Sequence, residues 1–153
     1  MIAEIVVVCT GNICRSPMAE VVLRERLAEA GLDVAVRSSG VSDEELGNPV
    51  DPRAAAVLSG AGYPVPQRTA RVFGAEDRDA DLVLVMTRRH RAAILQHGVA
   101  PERVRLWMEF VPGGGEADVS DPWYGGRADF LETLALIEAG APAVVELVGS
   151  GSS

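Results

Sequence analysis

Ile5-Val6-Val7-Val8-Cys9-Thr10-Gly11-Asn12-Ile13-Cys14-Arg15-Ser16-Pro17-Met18-Ala19-Glu20 is the stretch on which the fold turns. Its first four residues are apolar and β-branched, the pattern of a short strand covered on both faces, as in a parallel sheet. A loop containing Gly11 follows, and then a helix begins. Ser16 can cap that helix, Pro17 suits its first position and Glu20 its first turn. Ala19, Val22, Leu23, Leu27 and Ala30 form an apolar stripe at helical spacing, and Gly31 supplies the stop. The unit is strand, loop, helix.

The alternation continues outward from there. Val34-Ala35-Val36 reads as a second strand reaching Ser38-Ser39-Gly40, and a polar loop with Pro49 and Pro52 leads into a helix over 53–59. Leu82-Val83-Leu84-Val85-Met86 is a third strand, after which Thr87 can cap a helix over Arg88–Gln96. Val104-Arg105-Leu106-Trp107 is a fourth strand, with Trp107 expected in the core. Phe130, Leu134, Ile137 and Ala141 line a last helix, with a kink expected at Pro142 near its end. Strands alternating with helices predict a parallel sheet with helices on both faces. No repeat or linker divides the 153 residues, so residues 1–153 are expected to be one domain.

Composition excludes whole classes of chemistry. All 14 basic residues are arginine. Without lysine there is no P-loop NTPase or kinase lysine and no Schiff base. Two histidines, His90 and His97, and two cysteines, Cys9 and Cys14, are too few and too scattered for a structural zinc site, so no metal is expected. The net charge of -8 repels nucleic-acid backbones, so no nucleic-acid partner is expected. An anionic ligand must therefore be held by a local site. No apolar run approaches the roughly 20 residues that span a bilayer, and Met1-Ile2-Ala3-Glu4 lacks the basic start of a signal peptide. Two cysteines make no secreted disulfide framework; the expected setting is the reducing cytoplasm, away from membranes.

In parallel sheets, ligands bind beyond the carboxyl ends of strands. That directs attention to residues 9–16. Backbone N–H groups curled ahead of a helix N-terminus form an anion nest. Arg15 adds a planar cation that can grip two phosphate oxygens. Cys9 sits at the strand end, and the nest, the helix dipole and Arg15 all favour its thiolate. A thiolate beneath a bound phosphate is placed for in-line attack on phosphorus. The bland reading makes Cys9 and Cys14 small core residues and Arg15 a surface charge; it leaves the rest of the octapeptide unexplained.

The run from Cys9 to Glu20 closely resembles the signature of low-molecular-weight protein tyrosine phosphatases, and the similarity extends roughly from Ile5 to Gly140. That resemblance implies a flavodoxin-like three-layer fold with a four-stranded sheet in order 2-1-3-4, and no metal or organic cofactor. It implies that Cys9 is the nucleophile, that Arg15 binds the phosphoryl group, that Asn12 stabilises the loop with support from Ser38, and that Ser16 hydrogen-bonds the Cys9 thiolate. It also raises a reversible Cys9–Cys14 disulfide that would shield Cys9 from further oxidation; packing is the other role for Cys14. Ser120-Asp121-Pro122-Trp123-Tyr124-Gly125-Gly126 is similar to the family's aspartate loop. Asp121 then serves as general acid and later as general base, with Ile13, Trp123 and Tyr124 as pocket walls. Two departures stand out: Glu44 replaces a rim aromatic, and Arg68, in Arg68-Thr69-Ala70-Arg71, stands where histidine is common.

The leading expectation is hydrolysis of phosphotyrosine on proteins or peptides through a cysteinyl phosphate, with inorganic phosphate and other oxyanions as inhibitors. Arginine dephosphorylation is the runner-up: relatives with that activity tend to have threonine where Ile13 stands, whereas a carboxylate at Glu44 could pair with a guanidinium. An arsenate reductase needs further cysteines to pass oxidising equivalents on, and none follows Cys14. A noncatalytic phosphopeptide-binding module does not explain Cys9, Arg15 and Asp121 together. His90 and His97 are expected on a solvated helix face, and Arg88-Arg89-His90-Arg91 as a solvated helix start.

Overall fold

The computed structural model describes residues 1–150. Four strands, β1 (Glu4–Cys9), β2 (Ala35–Gly40), β3 (Leu82–Val85) and β4 (Val104–Leu106), form one sheet in the order β2-β1-β3-β4. Every neighbouring pair is parallel. This is the expected flavodoxin-like order. The helices are α1 (Arg15–Glu29), α2 (Pro52–Gly60), α3 (Ala75–Arg78), α4 (Arg88–Gln96) and α5 (Arg127–Ser150).

The strand period of two decides the layers. Val6 and Val8 point to one face, where they join Val83, Val85, Val104 and Ile94 of α4. Ile5, Val7 and Cys9 point to the other, where they join Met18, Leu23 and Leu27 of α1, Leu58 of α2 and Phe130, Leu134 and Ile137 of α5. Residues 5–8 are fully buried, which accounts for a run of apolar residues rather than an alternating one. Trp107 is fully buried and donates Nε1–H to the Leu136 carbonyl, 3.1 Å away. Gly140 of α5 packs on that indole; a Cβ there would lie 2.6 Å from Trp107 Nε1.

Most expected elements are present, with shifted ends. β2 extends to Gly40, and α2 begins at Pro52, capped by the Asp51 carboxylate that accepts from Arg53 N–H at 2.8 Å. Thr87 caps α4 as expected, accepting from His90 N–H at 3.1 Å. Two expectations are corrected. Ser16 is not the cap of α1: the cap position is Cys14, and the Ser16 side chain is buried. α5 does not end near Pro142 but continues through it to Ser150. Its buried residues Gly140, Ala141, Val144 and Val148 carry one face past the proline, so packing on the core outweighs the missing backbone donor. The four-residue α3 has no apolar stripe and is not legible from periodicity.

β1 lies between β2 and β3, so the chain leaves its carboxyl end toward one side and re-enters beside it from the other. That switch point opens a crevice above Cys9.

Candidate active site

The loop of residues 9–16 is tied to the body of the protein through its carbonyl groups. Val41 N–H donates to Cys9 O at 3.0 Å, Ser42 N–H to Thr10 O at 3.0 Å, Asp51 N–H to Ile13 O at 2.9 Å and Met18 N–H to Cys14 O at 3.2 Å. Arg68 Nη1 donates to Asn12 O at 2.9 Å. All peptide bonds among the described residues are trans, so each N–H opposes the carbonyl of its own peptide unit. With the carbonyls turned outward, the amides of Thr10, Gly11, Ile13, Cys14 and Arg15 face the cavity these residues line. Gly40 allows the close approach of β2, since a Cβ there would lie 2.6 Å from Thr10 O.

Asn12 is the hinge of this loop. Its φ of 60° makes it the sole non-glycine residue in the left-handed region among the described residues. Such a backbone costs free energy and persists only where its surroundings fix it. Asn12 Nδ2 donates to Ser16 Oγ at 2.8 Å and to Ser38 Oγ at 2.9 Å. Its Oδ1 accepts from Arg71 N–H at 3.0 Å and from Arg68 Nη2 at 2.5 Å. Ser38 Oγ donates in turn to the buried Glu20 carboxylate, which Arg24 holds at 2.8 Å. Glu20 therefore does more than face a helix dipole: it anchors the network behind the loop. Arg68 bridges Asn12 and Ser38 at once. Burial draws its basicity down, and the acid Glu20 works against that.

Cys9 is buried, with Sγ 3.0 Å from Ser16 Oγ. The guanidinium of Arg15 is also buried; Nη1 donates to Val119 O at 2.8 Å and Nη2 to Thr10 Oγ1 at 3.3 Å. On the other side of Thr10 Oγ1, 2.8 Å away, is His90 Nε2. This corrects the expectation of a solvated His90. The side chain is buried, while Arg88, Arg89 and His97 are exposed. Burial first, and then the Arg15 cation, push its imidazolium down to about 4, so it is neutral near pH 7. Its Nδ1 has no partner. The signal in the sequence was spacing: His90 and Ile94 are four apart and share the inward face of α4. Cys14 is buried too, and burial, followed by the acid Asp51, pushes its thiol up. Both cysteines are free thiols.

Asp121 comes from the opposite rim. The segment after Val119 is pinned by Val119 N–H to Met86 O at 2.8 Å, and a short 3₁₀ turn, Pro122–Tyr124, follows the carboxylate. Asp121 Oδ1 accepts from Trp123 N–H at 3.1 Å, and Oδ2 lies 3.6 Å from Arg15 Nη2. The structure thus brings together three distant positions, 9, 15 and 121. The cavity between them measures about 290 Å³ and is lined by Cys9, Thr10, Gly11, Ile13, Cys14, Arg15, Glu44, Glu45, Asp121, Trp123 and Tyr124. Each expected wall residue is among them. Glu45 joins them; its carboxylate accepts from Asn48 Nδ2 at 2.7 Å, and its Cγ lies 3.0 Å from where a Gly11 Cβ would be. Tyr124 is almost wholly exposed and Trp123 about 39% exposed, so both rings stand as open walls.

Residues 4–151 match the model of the low molecular weight phosphotyrosine protein phosphatase family. The chain is 44% identical over 145 residues to low molecular weight protein-tyrosine phosphatase A of Mycobacterium bovis, covering 92% of this chain and 88% of that one. Among solved structures, YwlE of Bacillus subtilis, described as an arginine phosphatase and crystallised as a cysteine-to-serine mutant with a phosphorylated active site serine, superposes with a TM-score of 0.87. Identity there is 31%, with 97% of each chain covered. Wzb of Vibrio vulnificus, solved with benzylphosphonate, gives a TM-score of 0.83 at 30% identity, covering 96% of this chain and 99% of that one. The loop geometry and the length of these similarities lead to one conclusion: the chain belongs to the low molecular weight phosphotyrosine protein phosphatase family.

Proposed function

We propose that this protein is a cytoplasmic protein tyrosine phosphatase, acting as one domain on phosphorylated proteins or peptides. The observation that carries this reading is the convergence of Cys9, Arg15 and Asp121 on one cavity, with the amides of the loop turned into it. A phosphoryl group seated on those amides receives Arg15 along two of its oxygens. The Cys9 thiolate attacks phosphorus from below, and the bond to the tyrosine oxygen breaks. Asp121, protonated at this stage, gives its proton to the departing phenoxide. In the second step the Asp121 carboxylate takes a proton from water, which attacks the cysteinyl phosphate. The electron pair of the S–P bond returns to Cys9, where the Ser16 hydroxyl at 3.0 Å supports the thiolate. Inorganic phosphate and other oxyanions inhibit by occupying the same cradle.

Selection of the leaving group lies at the rim. Ile13, Trp123 and Tyr124 offer apolar surface to a phenyl ring. Glu44 and Glu45 favour a second reading, arginine dephosphorylation, because carboxylates beside the slot pair with a guanidinium. The apolar Ile13, directly in the loop, weighs for tyrosine. A comparison of kcat/KM on matched phosphotyrosine and phosphoarginine peptides tests this: preference for phosphotyrosine supports the proposal, and preference for phosphoarginine replaces it with the second reading.

A further inference from the structure

Asp121 is a half-exposed residue on an exposed loop, yet its carboxyl has to meet the leaving oxygen above Cys9. Something outside the loop must set its position. Arg53, near the start of α2, is built for that task. Its Nη1 donates to Trp123 O at 2.9 Å and to Gly125 O at 3.2 Å, the carbonyls that bracket the end of the 3₁₀ turn. Its guanidinium carbon lies 5.2 Å from the centre of the Trp123 ring and 4.6 Å from that of Phe130. Two further donors go to Asp51: Nε reaches Oδ1 at 3.1 Å and Nη2 reaches Oδ2 at 3.0 Å.

Both ends of this arrangement lead to the reacting atoms. Asp51 N–H donates to Ile13 O in the phosphate loop at 2.9 Å. Trp123, whose carbonyl Arg53 holds, gives its own N–H to Asp121 Oδ1 at 3.1 Å. A continuous chain of hydrogen bonds therefore runs from Ile13 through Asp51 and Arg53 to Trp123 and Asp121. A planar guanidinium with five donors can make these four bonds, to two carbonyls and both carboxylate oxygens, at once; an ammonium with three donors cannot. We infer that Arg53 is a positioning residue, which sets Asp121 over the phosphate loop by clamping the backbone of residues 123–125 to α2. This rests on the proposed role of Asp121 as the acid.

The test compares Arg53→Gln, Arg53→Lys, Asp121→Asn and the double variant Arg53→Gln/Asp121→Asn with the parent protein. Single-turnover phosphorylation of the enzyme is measured with a phosphotyrosine peptide and with p-nitrophenyl phosphate, alongside the affinity for inorganic phosphate. A misplaced acid should slow the phosphotyrosine reaction by about 10- to 100-fold in Arg53→Gln. It should slow the nitrophenyl reaction far less, because nitrophenolate leaves unprotonated. Phosphate affinity should be unchanged, and the double variant should be no slower than Asp121→Asn. Arg53→Lys should follow Arg53→Gln, and it carries the same criteria should the glutamine variant not fold. Equal slowing for both leaving groups, additive loss in the double variant, or weakened phosphate binding would overturn the role of Arg53. Leaving-group dependence in Asp121→Asn but none in Arg53→Gln would overturn this inference alone. No such dependence in Asp121→Asn itself would remove the acid assignment, and with it the inference.

Discussion

The two loops that meet at the cavity are held in opposite ways. Residues 12–16 are all buried, five carbonyls of the phosphate loop have outside donors, and the strained Asn12 is fixed by four side-chain hydrogen bonds. The Asp121 segment is exposed at Ser120, Asp121, Trp123, Tyr124 and Gly126, and its turn is held chiefly by Arg53 and the buried Pro122. Under the proposed mechanism, the difference follows from what each loop does. Dipoles that stabilise a transferring phosphoryl group are effective when they are in place beforehand and need not reorganise. An acid that serves a bulky leaving group, and then water, needs room for one to depart and the other to enter. Few buried contacts give such a segment low local stability.

The largest test of the contrast is Cys9→Ser. It should abolish turnover while the loop keeps its fold and its affinity for phosphate, because the carbonyl ties do not involve the thiol and a serine hydroxyl can keep the one contact the thiol makes, with Ser16 Oγ. Near-parental kcat would end the nucleophile assignment. Asp121→Asn should come next, with a loss of about 10²–10⁴-fold in the phosphorylation step for a phosphotyrosine peptide. Phosphate affinity should survive, since the cradle is built without Asp121. A loss that appears in phosphate binding rather than in leaving-group dependence would erase the distinction between the two loops.

His90 supplies a pH test of the buried side. Its imidazolium is pushed down to about 4 from 6.5. Between those values the unfolded chain binds a proton that the native protein refuses, so stability falls as pH drops through that window and levels off below about 4. The contribution is about 3 kcal/mol. His90→Gln, which can still reach Thr10, should flatten the stability profile between pH 6.5 and 4; chemical denaturation at stepped pH measures it, and an unaltered slope refutes it. The smallest effect is expected at the open rim. Glu44→Trp should lower KM for aryl phosphates by about 0.5–1.5 kcal/mol through stacking. An unchanged or raised KM would show that residue 44 does not meet the substrate.

What could be read before folding, and what could not, divides along physical lines. The strand at residues 5–8, the helix stripe of Leu23 and Leu27, and the loop between them are local patterns, each set by side-chain periodicity and turn chemistry within a few residues. Trp107 and α5 were legible for the same reason, and the family signature from Cys9 to Glu20 carried the candidate loop with it. Local pattern fails where a residue takes its role from a partner far along the chain. Ser16 has the sequence look of a cap but is drawn to Cys9 and Asn12. His90 sits in a run of arginines, and only the packing of α4 on the sheet puts it against Thr10. Arg53 and Trp123 are 70 positions apart, as are Arg68 and Asn12 by 56. Propensity reports what a residue prefers among its neighbours in sequence. Burial and hydrogen-bond completion, which require the sheet order β2-β1-β3-β4 to exist first, decide which of those preferences survive.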